Sequence, residues 1–351
     1  MQLNPVLEKL SPFSYCGTGY PTQLDANESC VPLSNEIKQE IAEAVLNEIN
    51  FNKYPDDLTI KLREAYAKAF NVDAECVVPG NGSDELINMI VGRIVPLGGA
   101  VVGFEYDFGS YWSNAAIFGR KAIKLPRNED MSFTADMIID GAKANNADLV
   151  IFSNPNNPSG SQIERSEVIR IIESLDCLVV VDEAYMDFSD QSVLDLAGKY
   201  DNLIVLRTLS KAMGAAGARL GFAVSNEKLS YAMRSVRDAY NVSAINQAVG
   251  RILLSHPEHR EKTLVEIDRL MSIMKVRLNE IAAKSKQQMI VYPSVVNFVL
   301  VRLEDTAPIA EAMHQKGISL RVFNKNLLRI SVAEENTLNM VLIELESLLT
   351  K

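Results

Sequence analysis

Short apolar runs alternate with amphipathic segments through the middle of the chain. The apolar runs are rich in β-branched residues and end abruptly in polar ones, which is typical of strands buried on both faces of a sheet. Apolar residues recur at helical spacing in the segments between them, for example over 83–95 and 164–175. This alternation predicts an α/β fold, a mostly parallel sheet sandwiched by helices. The runs are AECVVPG (74–80), AVVGFE (100–105), DLVIFSNP (148–155), CLVVVDEAY (177–185), NLIVLRTLS (202–210) and RLGFAVS (219–225).

The pattern changes after about residue 240. A long amphipathic helix is predicted over 258–285, followed by short strands at 318–323 and 327–333 and a closing helix at 335–349. This order indicates a smaller α+β domain. The helix predicted over 34–50 could pack with either domain. The predicted division is an N-terminal segment 1–35 that packs with the small domain, a large domain 36–240 and a small domain 241–351.

The net charge and the first residues of the chain limit the binding partners and the cellular location that we expect. The 351 residues include 35 basic and 45 acidic side chains, a net charge of −10, which argues against nucleic acid or an anionic membrane as the main partner. The start MQLNPVLEKL lacks the basic and apolar regions of a secretory signal. The apolar runs are far shorter than the roughly 20 residues that span a bilayer. We therefore expect a cytoplasmic protein with small-molecule ligands.

Cysteines and histidines give no sign of a metal site. The four cysteines show no C-x-x-C spacing and are expected to be free thiols, which fits a reducing compartment. The three histidines lie outside any Ser–His–Asp or metal-ligand pattern, so no metal is predicted. These residues are Cys16, Cys30, Cys76 and Cys177, and His256, His259 and His314.

A glycine-containing turn opens the helix predicted over 83–95. Free N–H groups at a helix start bind anions, so Ser83 and Asp84 in GNGSDE could hold a phosphate. The alternative is an ordinary helix start capped by either side chain. Gly80 and Gly82 also partly match a dinucleotide-binding pattern, but its third glycine is missing.

Polar residues follow directly after two of the predicted strands, where ligands bind in parallel sheets. Asn157 in SNPNNPSG could present its amide to a ligand, although such loops are commonly plain turns. Asp182 and Glu183 end the run LVVVDE, and a carboxylate there is costly unless a cation pairs with it. A protonated pyridine nitrogen would be such a cation, and Tyr185 could reach the same ligand.

Lys211 follows the apolar strand NLIVLRTLS. Partial burial at the end of a sheet lowers the pKa of an amine and makes it nucleophilic, whereas a surface lysine would be the ordinary interpretation. Thr208, Ser210 and Arg219 add hydroxyls and a guanidinium that suit a phosphate.

Taken in order, these motifs resemble the fold-type I aminotransferases that depend on pyridoxal 5'-phosphate (PLP). The resemblance rests on NNPSG, DEAY and SK followed by AGARLG. It is closest to the histidinol-phosphate aminotransferase branch, through LDANES, NKYP, GNGSDE, RTLSKA and LRIS. These motifs extend from residue 24 to residue 331, so the resemblance covers nearly the whole chain.

The resemblance implies a role for each matching residue. Lys211 would bind PLP as a Schiff base and carry the proton between the substrate and the cofactor, Asp182 would pair with the ring nitrogen, and Tyr185 would hydrogen-bond the ring oxygen. Phe108 stands where the family usually has a ring-stacking tyrosine. Tyr54 would reach the cofactor phosphate of a neighbouring subunit in a homodimer with shared active sites. The other implied cofactor contacts are Asn157, Ser83, Asp84, Thr208, Ser210 and Arg219, and the implied substrate contacts are Asn27, Arg321 and Arg329.

The implied reaction is transamination between histidinol phosphate and 2-oxoglutarate in histidine biosynthesis. Two alternatives share these motifs: a PLP decarboxylase of the threonine-phosphate type, and an aminotransferase for another, for example aromatic, amino acid. A non-catalytic PLP-binding regulator would be expected to lack the lysine or to carry a DNA-binding domain. Lys211 is present and only about 50 residues precede NKYP, which argues against a regulator.

Overall fold

The structure, a computed structural model, describes Val6 and residues 19–350. Cys16 and the rest of residues 1–18 of the predicted segment 1–35, apart from Val6, lie outside the described residues. The described strands are β1 Thr22–Leu24, β2 Val77–Asn81, β3 Ala100–Phe104, β4 Lys121–Leu125, β5 Leu149–Ser153, β6 Leu178–Asp182, β7 Leu203–Thr208, β8 Leu220–Ser225, β9 Ile290–Val291, β10 Phe298–Arg302, β11 Ile318–Asn324 and β12 Leu327–Ser331. They form a seven-stranded and a five-stranded sheet.

Helices pack against both sheets. They are α1 Asn35–Asn47, α2 Ile60–Phe70, α3 Ser83–Met89 with a π-helical turn at Ile90–Ile94, α4 Gly109–Ile117, α5 Ala135–Ala144, α6 Arg165–Ser174, α7 Glu227–Val236, α8 Ala244–Leu254, α9 Pro257–Lys284, α10 Ala307–Gln315 and α11 Glu335–Thr350. No described helix is both long and apolar enough to cross a membrane.

The large sheet is mostly parallel and is covered on both faces. Its strand order is β2-β8-β7-β6-β5-β3-β4, with β8 antiparallel to both of its neighbours. Side chains alternate along a strand, so Val179 and Val181 of β6 join a core with α5 and α6. Val180 points to the opposite face and joins a core with α3 and α4. The continuous apolar runs of the sequence follow from this burial on both faces, and the predicted fold class is confirmed.

The small sheet has helices on one face and the site on the other. Its order is β1-β11-β12-β10-β9, with β1 parallel to β11 and the other pairs antiparallel. In β12, Leu328 and Ile330 pack with α9, α10 and α11. Alternation turns Arg329 and Ser331 to the opposite face, towards the large sheet. The pattern LLRIS therefore places one arginine and one hydroxyl beside the site.

Segments near the predicted domain limits pack with different sheets. β1 pairs with β11 of the small sheet, with Leu24 opposite Leu320. In contrast, α8 contacts α1 and α2, and its apolar residues join the core of the large sheet. The domain limits at residues 35 and 240 stay predictions.

Candidate active site

The carboxyl ends of the central strands bring the predicted residues to one edge of the large sheet. Ser153 at the end of β5 lies opposite Asp182 at the end of β6, and β7 ends beside them at Thr208. Lys211 follows in the next turn and is partly buried. Its Nζ donates to the carbonyl oxygen of Ala26 at 3.0 Å and lies 5.4 Å from the centre of the Tyr185 ring.

Asp182 is a buried acid whose described neighbours include no cationic partner. The residue is 3% exposed, and its carboxylate accepts hydrogen bonds from the Tyr111 hydroxyl at 2.6 Å and the Ala184 N–H at 3.0 Å. Burial raises its pKa to about 6, and the nearby charges of Asp107 and Asp84 act in the same direction. A cationic ligand group would relieve this cost.

Glu183, the other acid of the motif, is already paired. Its carboxylate accepts from Arg207 at 3.2 Å, from the Val193 N–H at 2.7 Å and from the Ser192 hydroxyl at 2.7 Å. The sequence left open which acid faces a ligand. The geometry leaves Asp182 for that purpose.

Asn27 links the start of the chain to Tyr185. Its Nδ2 donates to the Tyr185 hydroxyl at 2.9 Å, and its Oδ1 accepts from the Ser331 hydroxyl at 2.6 Å. Asn297 donates to the Asn27 carbonyl at 3.3 Å. These contacts hold the segment after β1 between the two sheets, directly above Lys211.

Arg329 is a buried cation on the small-sheet face. It is 4% exposed and donates to Asn157 Oδ1 and to the Asp25 carbonyl, both at 2.5 Å. Arg321 lies opposite it on the neighbouring strand. Within the described part of the chain, Arg329 forms no ion pair with a carboxylate, and burial lowers its pKa to about 10. Two adjacent guanidinium groups suit an anionic substrate group.

The start of α3 lies against β8. Gly82 precedes the helix with φ +83° and no side-chain cap, so capping by Ser83 or Asp84 is not what this helix uses. The Asp84 carboxylate instead pairs with Arg219 at 3.2 Å. A Cβ on Gly221 would lie 2.3 Å from the Ser83 nitrogen. Glycine at that position lets the uncapped helix start approach the sheet edge.

The predicted hydroxyls lie beside this helix start. Thr208 Oγ1 is 3.0 Å from Ser210 Oγ, and both residues are buried. Phe108 directly precedes α4, and its ring meets the Tyr111 ring edge-on at 5.8 Å between centres. Tyr54 lies apart from these groups: it is 80% exposed and stacks on Tyr240 at 4.4 Å.

Sequence reasoning missed some residues of the site. Tyr111 was not selected, although it lies in the segment EYDFGSYW that supplied Phe108 and contacts Asp182, 71 positions away. Ser331 lies in the quoted motif LRIS but was given no role. Asp107 shows no local signal in the sequence. Their contacts depend on which strands become neighbours, so spacing along the chain did not reveal them.

Comparison with known proteins shows the family of the chain. The profile of the family described as "Aminotransferase class I and II" matches residues 21–343. The chain belongs to this family. A relative from Clostridium novyi named histidinol-phosphate aminotransferase is 37% identical over 93% of this chain and 91% of its own. The predicted family, enzyme class and cofactor are confirmed: this is a PLP-dependent aminotransferase.

Solved structures support the fold. The histidinol-phosphate aminotransferase of Sinorhizobium meliloti, solved with PLP, is 26% identical, has a TM-score of 0.87, and is matched over 99% of this chain and 98% of its own. The L-threonine-O-3-phosphate decarboxylase of Porphyromonas gingivalis is 21% identical with a TM-score of 0.80, matched over 94% of this chain and 100% of its own. The second likeness shows a shared fold alone. The fold therefore does not separate transamination from decarboxylation.

Proposed function

We propose that this enzyme transfers the amino group of histidinol phosphate to 2-oxoglutarate, a step of histidine biosynthesis. The observation that carries the proposal is the relatives' shared name over nearly the full chain, including one from Thermoanaerobacter pseudethanolicus at 36% identity over 90% of this chain and 89% of its own. The adjacent Arg321 and Arg329 suit this substrate pair. Both a phosphate and a carboxylate accept two parallel hydrogen bonds from a guanidinium, so one site can serve both substrates in turn.

The residues at the sheet edge fit PLP. Lys211 offers an amine, Asp182 a buried carboxylate that needs a cation, and α3 an uncapped start near Arg219. When bound, PLP supplies an electron sink next to the substrate α-carbon. In our proposal Asp182 holds the ring nitrogen protonated. The phosphate would be held by residues at the start of α3 and after β7, where Asp84 would contribute its backbone N–H and orient Arg219. These residues are Ser83, Asp84, Thr208, Ser210 and Arg219.

Lys211 would transfer the proton of the substrate α-carbon, and the neighbouring side chains would orient the cofactor ring. The Lys211 amine would take the proton from the substrate α-carbon and deliver it to the cofactor carbon that carries the transferred amino group. Tyr185, oriented by Asn27, and Asn157, bonded to Arg329, would hydrogen-bond the ring oxygen. Phe108 would cover one face of the ring. The link from Asn157 to Arg329 joins the cofactor contact directly to the substrate contact.

We also propose a homodimer with shared active sites. Large apolar side chains around the segment before α2 are exposed in the single chain, as expected for an interface. Tyr54 lies among them and would reach the partner's cofactor phosphate. The exposed side chains are Leu46, Phe51, Tyr54, Leu58 and Ile60. The proposed setting is the cytoplasm, which fits the free thiols of Cys30, Cys76 and Cys177.

A single-turnover assay tests the reaction. Purified enzyme with PLP is mixed with L-histidinol phosphate, and the loss of the cofactor's visible colour is followed; 2-oxoglutarate should restore the colour. Histidinol without the phosphate should react with much lower kcat/KM. Threonine phosphate should release no CO2. Release of CO2 from it, or equal rates with and without the phosphate, would instead support the decarboxylase or the other aminotransferase.

Two variants locate the chemistry in this assay. Lys211→Ala should lose turnover by several orders of magnitude, and borohydride should attach PLP to Lys211 in the wild type as mapped by mass spectrometry. Arg329→Gln should raise the KM for histidinol phosphate because it removes a buried cation. Lys325→Gln is the matched control, since Lys325 is an exposed cation in the same hairpin. Equal effects of Arg329→Gln and Lys325→Gln would contradict the substrate role.

A further inference from the structure

Asp107 and Arg127 form a buried ion pair at the same sheet edge. Asp107 lies three residues beyond β3 and Arg127 two residues beyond β4, so parallel neighbouring strands bring them together. Asp107 Oδ2 and Arg127 Nη2 are 3.5 Å apart, and the side chains are 0% and 1% exposed. None of the cofactor and substrate roles proposed above uses either residue.

Arg127 is held by several contacts. Its Nε donates to the Tyr106 carbonyl at 3.0 Å, and its Nη1 donates to the Met131 carbonyl at 3.2 Å. The guanidinium also lies over the rings of Phe104 and Phe133, at 4.7 and 4.9 Å from their centres. A buried guanidinium this constrained supplies a fixed positive charge to Asp107.

The Asp107 carboxylate also accepts hydrogen bonds from two segments of the site. Oδ1 accepts from the Phe108 N–H at 2.8 Å and from the Ser153 hydroxyl at 2.5 Å. Oδ2 accepts from the Ser153 N–H at 3.2 Å. One carboxylate therefore holds both the first residue of the α4 region and the last residue of β5.

Ser153 connects Asp107 to the loop that contains Asn156 and Asn157. Its Oγ accepts from Asn156 Nδ2 at 3.0 Å and from the Asn157 N–H at 3.2 Å. The hydroxyl proton of Ser153 is directed at Asp107, which leaves its lone pairs free to accept these bonds. Asn157 is thus placed by a short chain of contacts that begins at Asp107.

Burying two charges is an expensive way to gain stability, because a well-packed apolar pair often does as well. The charged pair instead fixes the orientation of its neighbours, because each oxygen of Asp107 accepts from a defined set of donors. We propose that Asp107, held by Arg127, is a positioning residue that sets Phe108 against the face of the PLP ring and Asn157 at its edge. This inference rests on the proposed cofactor roles of Phe108 and Asn157.

The first test replaces the pair by neutral groups of similar size, Asp107→Asn with Arg127→Met. The double variant avoids leaving one buried charge without its partner. An asparagine retains an acceptor but places an N–H₂ group against the donors of Ser153. We expect a PLP dissociation constant raised roughly 10-fold, and a weaker visible circular dichroism band of the bound cofactor, which reports the ring's orientation.

The second test, Ser153→Ala, keeps the ion pair and removes only the hydroxyl that joins Asp107 to Asn156 and Asn157. It is a small change that leaves the Phe108 contact in place. We expect the visible absorption maximum of the bound cofactor to shift, because the proposed role of Asn157 is to contact the ring oxygen, while the circular dichroism band keeps most of its amplitude. This variant keeps the inference testable if the double variant does not fold.

Arg120→Met is the matched control. Arg120 is a buried arginine just before β4, at the end of the strand opposite Arg127, where it donates to the carbonyls of Val91, Gly92 and Phe118. It should lower the melting temperature without changing PLP affinity or either spectrum. Wild-type spectra and affinity in both Ser153→Ala and the double variant would overturn the inference. Wild-type protein that binds no PLP would instead overturn the proposed cofactor site.

Discussion

At the scale of single residues, the site contains buried charged side chains that have no oppositely charged partner among the described residues. Glu183 is buried and paired with Arg207, whereas Asp182 is buried beside Tyr111 with no cation among its described neighbours. Arg329 is likewise buried and bonded only to neutral oxygens. Such groups cost stability in the free protein and gain partners when ligands bind.

The raised pKa of Asp182 predicts how PLP stabilises the protein at different pH. Its value of about 6 lies above the ordinary 3.8, so ionising Asp182 in the folded apoprotein costs stability. The cost grows as pH rises above 3.8 and is complete above about 6, where it amounts to about 3 kcal/mol. Because a pyridinium cation offsets it, the gain in melting temperature from apo- to holoprotein should be larger at pH 7 than at pH 5.

Asp182→Asn is the control for this pH effect. The amide keeps the size of the side chain but has no proton to lose. The gain in melting temperature on PLP binding should therefore differ less between pH 7 and pH 5. The same variant should also cut turnover far more than stability, because the amide cannot hold the ring nitrogen protonated. An unchanged pH dependence in Asp182→Asn would show that another group, such as the PLP phosphate, causes it.

The sequence identified the residues that follow strands and missed those that depend on strand neighbours. Lys211 and Asp182 each end a continuous apolar run, so their position at the sheet edge could be predicted. The contacts of Tyr111 with Asp182 and of Arg127 with Asp107 depend on the strand order β7-β6-β5-β3-β4. Hydrophobic periodicity does not encode that order.

At the scale of elements, the strands of the large sheet that the sequence predicted are the buried ones. β6 and β7 are covered on both faces and read as continuous apolar runs. β4, with the sequence KAIKL, is an edge strand and mostly exposed or partly exposed, so it lacked that signal. The short β1 was also not predicted, because its place depends on pairing with β11, almost 300 residues later.

The contact between α3 and β8 predicts a phosphate-specific effect of Gly221→Ala. The new Cβ would lie 2.3 Å from the Ser83 nitrogen, so the helix start must move away from the sheet edge. Affinity for PLP should fall more than affinity for pyridoxal, which lacks the phosphate. Gly198→Ala is the control, because its Cβ would be 3.8 Å from Cys76 Sγ, an ordinary contact. Equal losses for both ligands would contradict a phosphate at the start of α3.

At the scale of the whole molecule, the site is built from distant parts of one chain and, in our proposal, from a second chain. The large sheet supplies Asp182 and Lys211, and the small sheet supplies Arg329. Residues after β1 lie between them and contact both. Tyr54 is outside this group and 80% exposed, and we propose that it contacts the cofactor of the partner subunit.

A mixed dimer tests whether Tyr54 crosses between subunits. One subunit carries Lys211→Ala and the other Tyr54→Ala, each with a different affinity tag so that the mixed dimer can be purified. If Tyr54 serves the partner's site, the subunit with intact Lys211 receives Tyr54 from the other subunit, and one site in the dimer is complete. Transaminase activity at limiting PLP should then reach about half that of wild type, well above either parent dimer. If Tyr54 serves its own chain, no site is complete, and the activity should be only about half that of the Tyr54→Ala parent because one of the two sites lacks Lys211. A wild-type protein that sediments as a fully active monomer would also rule out the shared site.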